Sequence, residues 1–342
     1  MIELLTRINN SISALARVHR LLPWLLAYLL LLPLPKLLEF GISDYYIDLA
    51  NRACLFILLC VGLNIVKGFC GQVTVGHIGL YAIGAVSSAL LSLNYGLSFW
   101  VSAPFAVLIT GFAGIIVGLP SVRLEGAYLA LATLGLGESV RIMIAVTPAL
   151  GSSTGIMLIP APAIGDFVFD SFERYYYLVM TVALLGIYLS FAILRSATGR
   201  AFQAIREDPI AASVVGINVK MYKLLAFVIS ALYAGLGGAL FAHMPPGYIH
   251  HNNFTIIEMI TLLLMVVLGG IGNIWGGVIG AIVVTVIYDQ TKEYYFYQPL
   301  IFGISMVLLV VFMPRGIGGL IERMIVKEKF IKQHEDKEIG IA

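Results

Sequence analysis

Charge is scarce in this sequence of 342 residues, because Asp, Glu, Lys and Arg together supply only 12% of it. Soluble globular domains usually devote about a quarter of their residues to these four types. Hydrophobic residues make up 60% of the chain, and its mean hydropathy is +0.95. This composition excludes a soluble globular domain and predicts a protein that lies in a lipid bilayer.

Residue patterns typical of metal sites and nucleotide sites are missing as well. The three cysteines have neither disulfide nor metal-binding spacing, and they are Cys54, Cys60 and Cys70. No Gly-Lys dipeptide occurs, although the phosphate-binding loop of an ATPase requires one. His243, His250 and His251 fall in a predicted external turn without acidic neighbours close in sequence. We therefore expect no catalytic residue, no metal ion and no bound cofactor, which argues against a membrane enzyme.

Long apolar windows bounded by charges, Gly or Pro are abundant. A helix needs roughly 20 mostly apolar residues to cross a bilayer. Ten windows meet this requirement, at 21–40, 45–66, 72–93, 98–118, 125–146, 174–194, 224–243, 254–270, 274–291 and 298–313. We expect an all-α integral membrane protein, a polytopic bundle of about ten transmembrane helices. The first window is interpreted as a signal anchor rather than a cleaved signal peptide, because no A-x-A cleavage site follows it.

The positions of Lys and Arg orient these windows. When successive loops are assigned to alternate sides, one side carries most of the basic residues, namely Arg7, Arg17, Arg20, Lys67, Arg123, Arg195, Arg200, Arg206, Lys220, Lys223, Arg315, Arg323, Lys327, Lys329, Lys332 and Lys337. The opposite side carries only Lys36, Arg174 and Lys292. The positive-inside rule predicts that the basic side is cytoplasmic and that both termini lie there.

This pattern divides the chain into three parts. They are a cytoplasmic or interfacial N-terminal segment at 1–20, a transmembrane domain at 21–313, and a cytoplasmic tail at 314–342. The transmembrane domain includes a long external loop at 147–173 and a long cytoplasmic loop at 195–223.

The cytoplasmic loop contains signals for two short helices. Asp208 followed by Pro209 is typical of a helix start, because the carboxylate caps free amides and proline tolerates the first helical position. Gly216 can take the left-handed conformation that ends a helix, which predicts a helix at 209–215. A second short helix is predicted at 200–207. Such helices are marginal alone, so we expect them to dock on another protein, with the lipid interface as the alternative.

Five ordered motifs resemble the LivM-type permeases, the membrane subunits of branched-chain amino acid ABC importers. The motifs are "GFCGQVTVGHIGLYAIGA" at 68–85, "LEGAYLALATLGLGE" at 124–138, "GRAFQAIREDPIAASVVGINVKMYKLLAF" at 199–227, "MVVLGGIGNIWGGVIGA" at 265–281 and "MPRGIGGL" at 313–320. The chain departs from the family in the external loop, where Ser-Ser-Thr-Gly-Ile at 152–156 replaces the common Thr-Gly-Gly run.

The resemblance implies an ATP-driven import subunit in a prokaryotic inner membrane. The expected partners are a second permease subunit, two ATP-binding subunits that use ATP and Mg, an external solute-binding protein and membrane lipid, with no nucleic acid. The residues that match the family's ATPase-coupling element are Arg206, Glu207, Asp208, Pro209, Ala211, Ala212 and Gly216. Branched-chain amino acids are the expected solutes. Urea, amides or other small carboxylates carried by the same machinery, and a self-sufficient secondary transporter, are the alternatives.

Polar residues inside the predicted spans are candidates for the translocation path, because ionisable groups are costly there unless paired or wet. The candidates are Gln72, His77, Glu138, Arg141 and Glu258. Glu138 with Arg141, and Asp48 with Arg52, are spaced to neutralise each other along one helix, in which case they serve structure. A separate four-residue glycine spacing predicts close helix packing by Gly272, Gly276 and Gly280. "GFCGQ" and "GGIGN" are predicted helix breaks at the cytoplasmic face.

Overall fold

The computed structural model describes residues 44–291 and 296–312, together with the isolated positions 28, 31–33, 35, 294 and 316. The interpretations of the N-terminal segment, of the first predicted span and of the C-terminal tail lie outside the described residues, apart from those isolated positions. The same is true of nearly all of the motif at 313–320.

The described chain is built from helices. In chain order they are α1 Asp44–Asn64, α2 His77–Tyr95, α3 Phe99–Gly118, α4 Gly126–Val146, α5 Phe172–Arg195, α6 Ala197–Glu207, α7 Pro209–Val214, α8 Val219–His243, α9 Ile256–Gly269, α10 Ile274–Gln290 and α11 Gln298–Phe312. A π-helical turn, Ile65–Phe69, extends α1, and 3-10 turns lie at Leu119–Val122, Pro148–Leu150 and His251–Phe254. The strands β1 Ala163–Ile164 and β2 Phe167–Val168 form a small antiparallel hairpin with Ala163 opposite Val168.

Seven segments of the described chain are long and apolar enough to cross a membrane, and α10 is a shorter apolar helix. The nine predicted windows from 45–66 onward each coincide with one long helix, whereas the first window lies outside the described residues. The total of ten helices and the positions of the termini therefore stay predictions. The third window was placed too early at 72, because the helix begins at His77 and residues 70–76 are not helical.

The long helices pack around α8, which contacts α1, α2 and α3. Small residues permit this approach: a Cβ at Gly84 would lie 2.6 Å from the Cα of Gly235, and one at Gly111 would lie 2.7 Å from the Leu232 side chain. Helices α5 and α10 both pack against α1, and α9 packs against α10. Helix α4 packs against α2.

The two ends of the bundle differ in charge. Lys67, Arg123 and the short helices α6 and α7 all lie at one end, which we call the basic end. At the opposite end the loop at 147–171 covers the helices, and Ile156 pairs with Ile249 through two backbone hydrogen bonds of 2.9 and 3.0 Å. The alternation predicted from Lys and Arg therefore corresponds to two physical ends of the bundle.

Helix α2 begins in the interior of the bundle. Its first residue, His77, shares a 3.1 Å hydrogen bond with the hydroxyl of Ser230. Ser230 lies 11 residues into α8, about 16 Å along the axis at 1.5 Å per residue. Segment 70–76 therefore runs from the basic end into the bundle as non-helical chain, held by a 3.0 Å bond from the Val75 amide to the Thr133 hydroxyl.

Candidate coupling element and transport path

The loop at the basic end contains the two short helices that the sequence predicted. The Asp208 carboxylate caps α7 by accepting from the amides of Ile210 at 2.8 Å and Ala211 at 3.1 Å. Gly216 has a φ of +86°, the left-handed conformation that ends α7. Helix α6 starts three residues earlier than predicted, at Ala197, and α7 ends one residue earlier, at Val214. The positions of the helices are thus confirmed to within a turn.

The pair of short helices has one buried face and one exposed face. The inner face carries Phe202, Ile205 and Ala212, which are at most 3% exposed and belong to the hydrophobic core. The outer face carries Ile210 and Val214, which are 77% and 81% exposed. We call these two residues, with their neighbour Val215, the exposed apolar patch. A contiguous apolar patch on an exposed turn is typical of a binding surface.

Arg206, which the sequence grouped with the coupling residues, also contacts the membrane helices. Its guanidinium Nη1 donates a short hydrogen bond to the carbonyl oxygen of Gly68, at the end of α1. The Cα of Arg206 also lies close to Gly71, since a Cβ added to Gly71 would be 3.3 Å from it. Glu207 and Asp208, the next two residues, are exposed. Arg206 therefore links the loop to the membrane helices, and, like its two neighbours, it is also exposed at the surface.

Two helix breaks meet at this point. Asn64 is buried near the end of α1, and its side-chain oxygen accepts from the amide of Gly272 at 2.9 Å. Its side-chain nitrogen donates to the carbonyl oxygen of Asn273 at 2.8 Å. We call Asn64, Gly68, Arg206, Gly272 and Asn273 the Arg206 junction. It ties the end of α1, the loop between α9 and α10, and helix α6 to one another.

The prediction for Gly272 was wrong in one respect. Gly272 precedes α10, has a φ of +84°, and faces the Arg206 guanidinium, which a Cβ would overlap. It is required by the turn and the close approach of Arg206 rather than by a helix face. Gly276 and Gly280 do lie in α10 and pack against α9, where added Cβ atoms would overlap the carbonyl oxygens of Gly269 and Met265.

Among the predicted path residues, Gln72 and His77 belong to the non-helical entry to α2. Gln72 is buried, and its side-chain nitrogen donates to the carbonyl oxygen of Cys70 at 3.3 Å. His77 is buried against Ser230. Their neighbour Val73 is 38% exposed, so segment 70–76 forms part of an accessible face.

Both predicted ion pairs are present. Arg141 Nε donates to Glu138 Oε1 at 2.8 Å, and Arg52 Nε donates to Asp48 Oδ2 at 2.9 Å. Glu138 lies 12 residues into α4, about 18 Å along the helix axis. Its pair is therefore near the middle of a span.

Glu258 has a partner that its own helix does not supply. Tyr288, on α10, donates its hydroxyl to Glu258 Oε1 at 2.6 Å. Both residues line a cavity of 140 Å³ with Arg52 and Asp289. Asp289 was not among the predicted path residues, although an acidic residue inside the ninth predicted span was a signal that could have identified it.

His243 also differs from its prediction. It is the last residue of α8 and is buried, with Nε2 at 2.9 Å from the Ser88 hydroxyl and Nδ1 at 2.7 Å from the Pro160 carbonyl oxygen. It therefore secures α8 to α2 and to the loop at the far end. His250 and His251 lie farther along, at the start of the 3-10 turn.

The described chain combines helices that are long and apolar enough to span a membrane, a helix that starts in the interior, and short helices joined to two helix breaks. This architecture is that of a multi-pass membrane permease. A family model described as the permease component of branched-chain amino acid transport systems matches residues 45–313. The chain belongs to this branched-chain amino acid transport permease family.

Individual relatives agree with this assignment. The high-affinity branched-chain amino acid transport system permease protein LivM of Escherichia coli (strain K12) is 36% identical over 302 residues, covering 81% of this chain and 71% of the relative. The corresponding LivH protein is 25% identical over 287 residues, covering 77% of this chain and 91% of LivH. A guanosine ABC transporter permease, NupQ of Bacillus subtilis (strain 168), is 27% identical over 189 residues, covering 50% and 59%. No solved structure matches the chain.

Proposed function

We propose that this chain is one of two permease subunits of an ABC importer that carries branched-chain amino acids across a prokaryotic inner membrane. Two ATP-binding subunits dock on the basic end, which faces the cytoplasm, and an external binding protein delivers the solute to the opposite end. ATP and Mg are bound by those partners, and this chain holds neither a cofactor nor a catalytic residue.

The observation that carries the proposal is the construction of α6 and α7. An element that only connected α5 to α8 would need a few residues, whereas this one presents the exposed apolar patch beside Glu207 and Asp208. Its inner face is fixed in the core by Phe202 and Ile205. A surface of this kind fits a groove on a protein partner. Movement of that partner would pass through Arg206 to α1 and to the loop before α10.

Segment 70–76 and the Glu138–Arg141 pair support a path along the α2–α4 face. Non-helical backbone at membrane depth is tolerated where it is buried in protein or lines water, and lipid would leave its polar groups without partners. An ion pair near the middle of a span is likewise tolerated only where it is buried in protein or lines water. The exposed part of this face, which includes Val73, is therefore assigned to the water-filled path shared with the second permease.

Solutes other than branched-chain amino acids are the alternative for this chain. The relative from Bacillus subtilis is named for guanosine transport, so the same architecture serves other solutes in other members. Urea, amides and small carboxylates are alternatives for this chain. Uptake by the assembled complex in vesicles distinguishes these solutes. Leucine, isoleucine, valine, urea and guanosine are compared, each in the presence and in the absence of the binding protein.

Docking is tested with charge variants of the exposed acids. We expect Glu207→Lys to leave the protein inserted and to abolish ATP-dependent uptake or co-purification of the ATPase subunits. Asp208→Asn separates charge from structure, because asparagine caps a helix about as well as aspartate, whereas Asp208→Lys removes both. Asp166→Lys, which changes an exposed acid near the opposite end, is the matched control. Unchanged uptake in both lysine variants of the loop would contradict the docking role.

A further inference from the structure

An ion pair joins the start of α8 to the start of α4 at the basic end of the bundle. Lys223 Nζ lies 2.6 Å from Glu125 Oε1, although the two residues are 98 positions apart in sequence. The other ion pairs between described residues each join positions that are three or four apart. Among the ion pairs of the described chain, the Lys223–Glu125 pair therefore stands out as a link between two distant helices.

The two partners differ in exposure. The Lys223 side chain is 5% exposed, whereas the Glu125 side chain is 71% exposed. A buried ammonium group is costly unless a group of opposite charge lies beside it, and removal of that partner is strongly unfavourable. An exposed carboxylate loses much less when an ion pair separates. Separation of this pair therefore requires that water or another acceptor reach the Lys223 ammonium group.

Glu125 has a second group of partners within reach. It is the residue immediately before α4, in the N-cap position, yet its side chain does not cap the helix. The first amides of a helix have no intrahelical acceptor, and a negative charge is favourable beside them. The Glu125 carboxylate can therefore bind either Lys223 or the start of α4. The pair can separate without leaving this carboxylate unpartnered.

Helix α4 is held in the described bundle along one stripe. Its buried residues are Leu129, Thr133, Gly137 and Ile144. Near the basic end Tyr128 and Leu131 are 75% and 66% exposed. Gly126, which follows Glu125, has a φ of +58° and open space around an added Cβ. Both α4 and α8 pack on α2, so the ion pair adds a direct link between them where α4 is least enclosed.

The position of Lys223 connects the short helices to the proposed path. Lys223 is the fifth residue of α8, and only residues 215–218 separate α8 from α7. Its charge also acts on Cys70, the first residue of segment 70–76. Displacement of α7 would therefore move the start of α8 and act through Lys223 on α4, which borders the proposed path. The Arg206 junction acts on different helices, namely α1 and α10.

We propose that the Lys223–Glu125 pair is a latch that holds the basic end of α4 to α8 and must open during each transport cycle. While the latch is closed, Glu125 neutralises the Lys223 ammonium group and the path is shut at the basic end. Movement of α7 separates the pair, Glu125 then accepts from the first amides of α4, and water enters beside Lys223. The latch rests on the proposed function, to which it adds two positioning residues.

Reversible cross-linking tests whether the latch must open. Glu125→Cys and Lys223→Cys are combined in the assembled complex in vesicles and joined with a bifunctional thiosulfonate reagent. We expect cross-linking to stop ATP-dependent leucine uptake and a reductant to restore it. Asp170→Cys combined with Arg174→Cys is the matched control, because it replaces an exposed ion pair near the opposite end and keeps the same native cysteines. This control should transport equally before and after cross-linking.

Charge variants test whether the two residues act as an ion pair. Glu125→Gln and Lys223→Gln should each lower the solute transported per ATP hydrolysed by about five-fold or more, the lower end of the usual range for coupling between two sites. Exchange of the charges, in Glu125→Lys combined with Lys223→Glu, should recover part of this loss. Arg123→Gln, which removes an exposed charge two residues before Glu125, is the control and should keep the wild-type ratio.

The outcomes separate the latch from the proposed function. Absence of ATP-dependent leucine uptake by the wild-type complex would remove the proposed function. Full uptake by the cross-linked complex would overturn the latch and leave the transport function standing. The same holds if both glutamine variants have a lower melting temperature but the wild-type ratio of solute to ATP, because the pair would then serve stability alone. No recovery in the folded charge-exchanged variant would also overturn the latch.

Discussion

Replacing Asn64 with alanine tests whether the Arg206 junction couples the loop at the basic end to the membrane helices. Asn64 makes two hydrogen bonds to the loop between α9 and α10, at 2.9 and 2.8 Å, and its side chain is buried. The substitution leaves the Gly272 amide and the Asn273 carbonyl without this partner. The Asn273 carbonyl oxygen still accepts from the Gly277 amide at 3.0 Å, so only the Gly272 amide is left unsatisfied. An unsatisfied buried donor costs about 1–3 kcal/mol, and we expect a loss of this size in the free energy of unfolding.

Asn51 provides a control on the same helix. It is equally buried, but it donates one 3.0 Å bond to the Phe172 carbonyl oxygen at the opposite end of α1. Asn51→Ala should cost only about 0.5–1.5 kcal/mol, the net contribution of one hydrogen bond, because Phe172 is the first residue of α5 and its carbonyl oxygen keeps a helical partner. Thermal unfolding of the purified complex in detergent measures the stability of both variants.

Coupling is measured as solute transported per ATP hydrolysed in vesicles. We expect this ratio to fall in Asn64→Ala, because α1 no longer holds the loop before α10, and to stay at the wild-type value in Asn51→Ala. Equal ratios in the two variants, with the stabilities ordered as expected, would refute the role of the junction in coupling and leave Asn64 as a structural residue.

Three glycine substitutions give further predictions, because the positions differ in the space around an added Cβ and in the backbone angle φ. Gly216→Ala should destabilise α7 by about 1–2 kcal/mol, because its φ of +86° is left-handed although nothing lies within 4 Å, and ATPase co-purification should weaken with it. Gly135→Ala, also with open space but within α4, should instead raise the melting temperature slightly, since alanine is favoured over glycine in a helix by about 1 kcal/mol. Gly79→Ala should lower the melting temperature, because its Cβ would lie 2.6 Å from the Cα of Gly137, and a shift like that of Gly135→Ala would contradict the close α2–α4 contact.

Local features of the sequence were sufficient for most of the helices. Hydropathy located nine windows that are helices in the structure. Backbone groups without hydrogen-bond partners are costly in lipid, so an apolar segment of that length has few conformations other than a helix. The short helices α6 and α7 were predictable for a different reason. The Asp208 cap and the Gly216 end are both interactions between residues close in sequence.

The third span shows where this reasoning failed. Residues 70–76 are apolar enough to be counted with α2, yet they run as non-helical chain that Thr133, on α4, helps to hold. Their conformation depends on a partner 58 residues away. A hydropathy window contains no information about such a contact.

The sequence by itself determined that the chain is a multi-pass membrane protein, which segments form its long apolar helices, where the loop helices lie to within a turn, and which family the chain belongs to, because each depends on residue type or on short-range spacing. The tertiary structure decided that Arg206 bonds to Gly68, that Gly272 serves a turn, and that Arg52, Glu258 and Asp289 share one cavity. These arrangements join helices distant in sequence. Only the packing of the helices brings such groups within hydrogen-bonding distance.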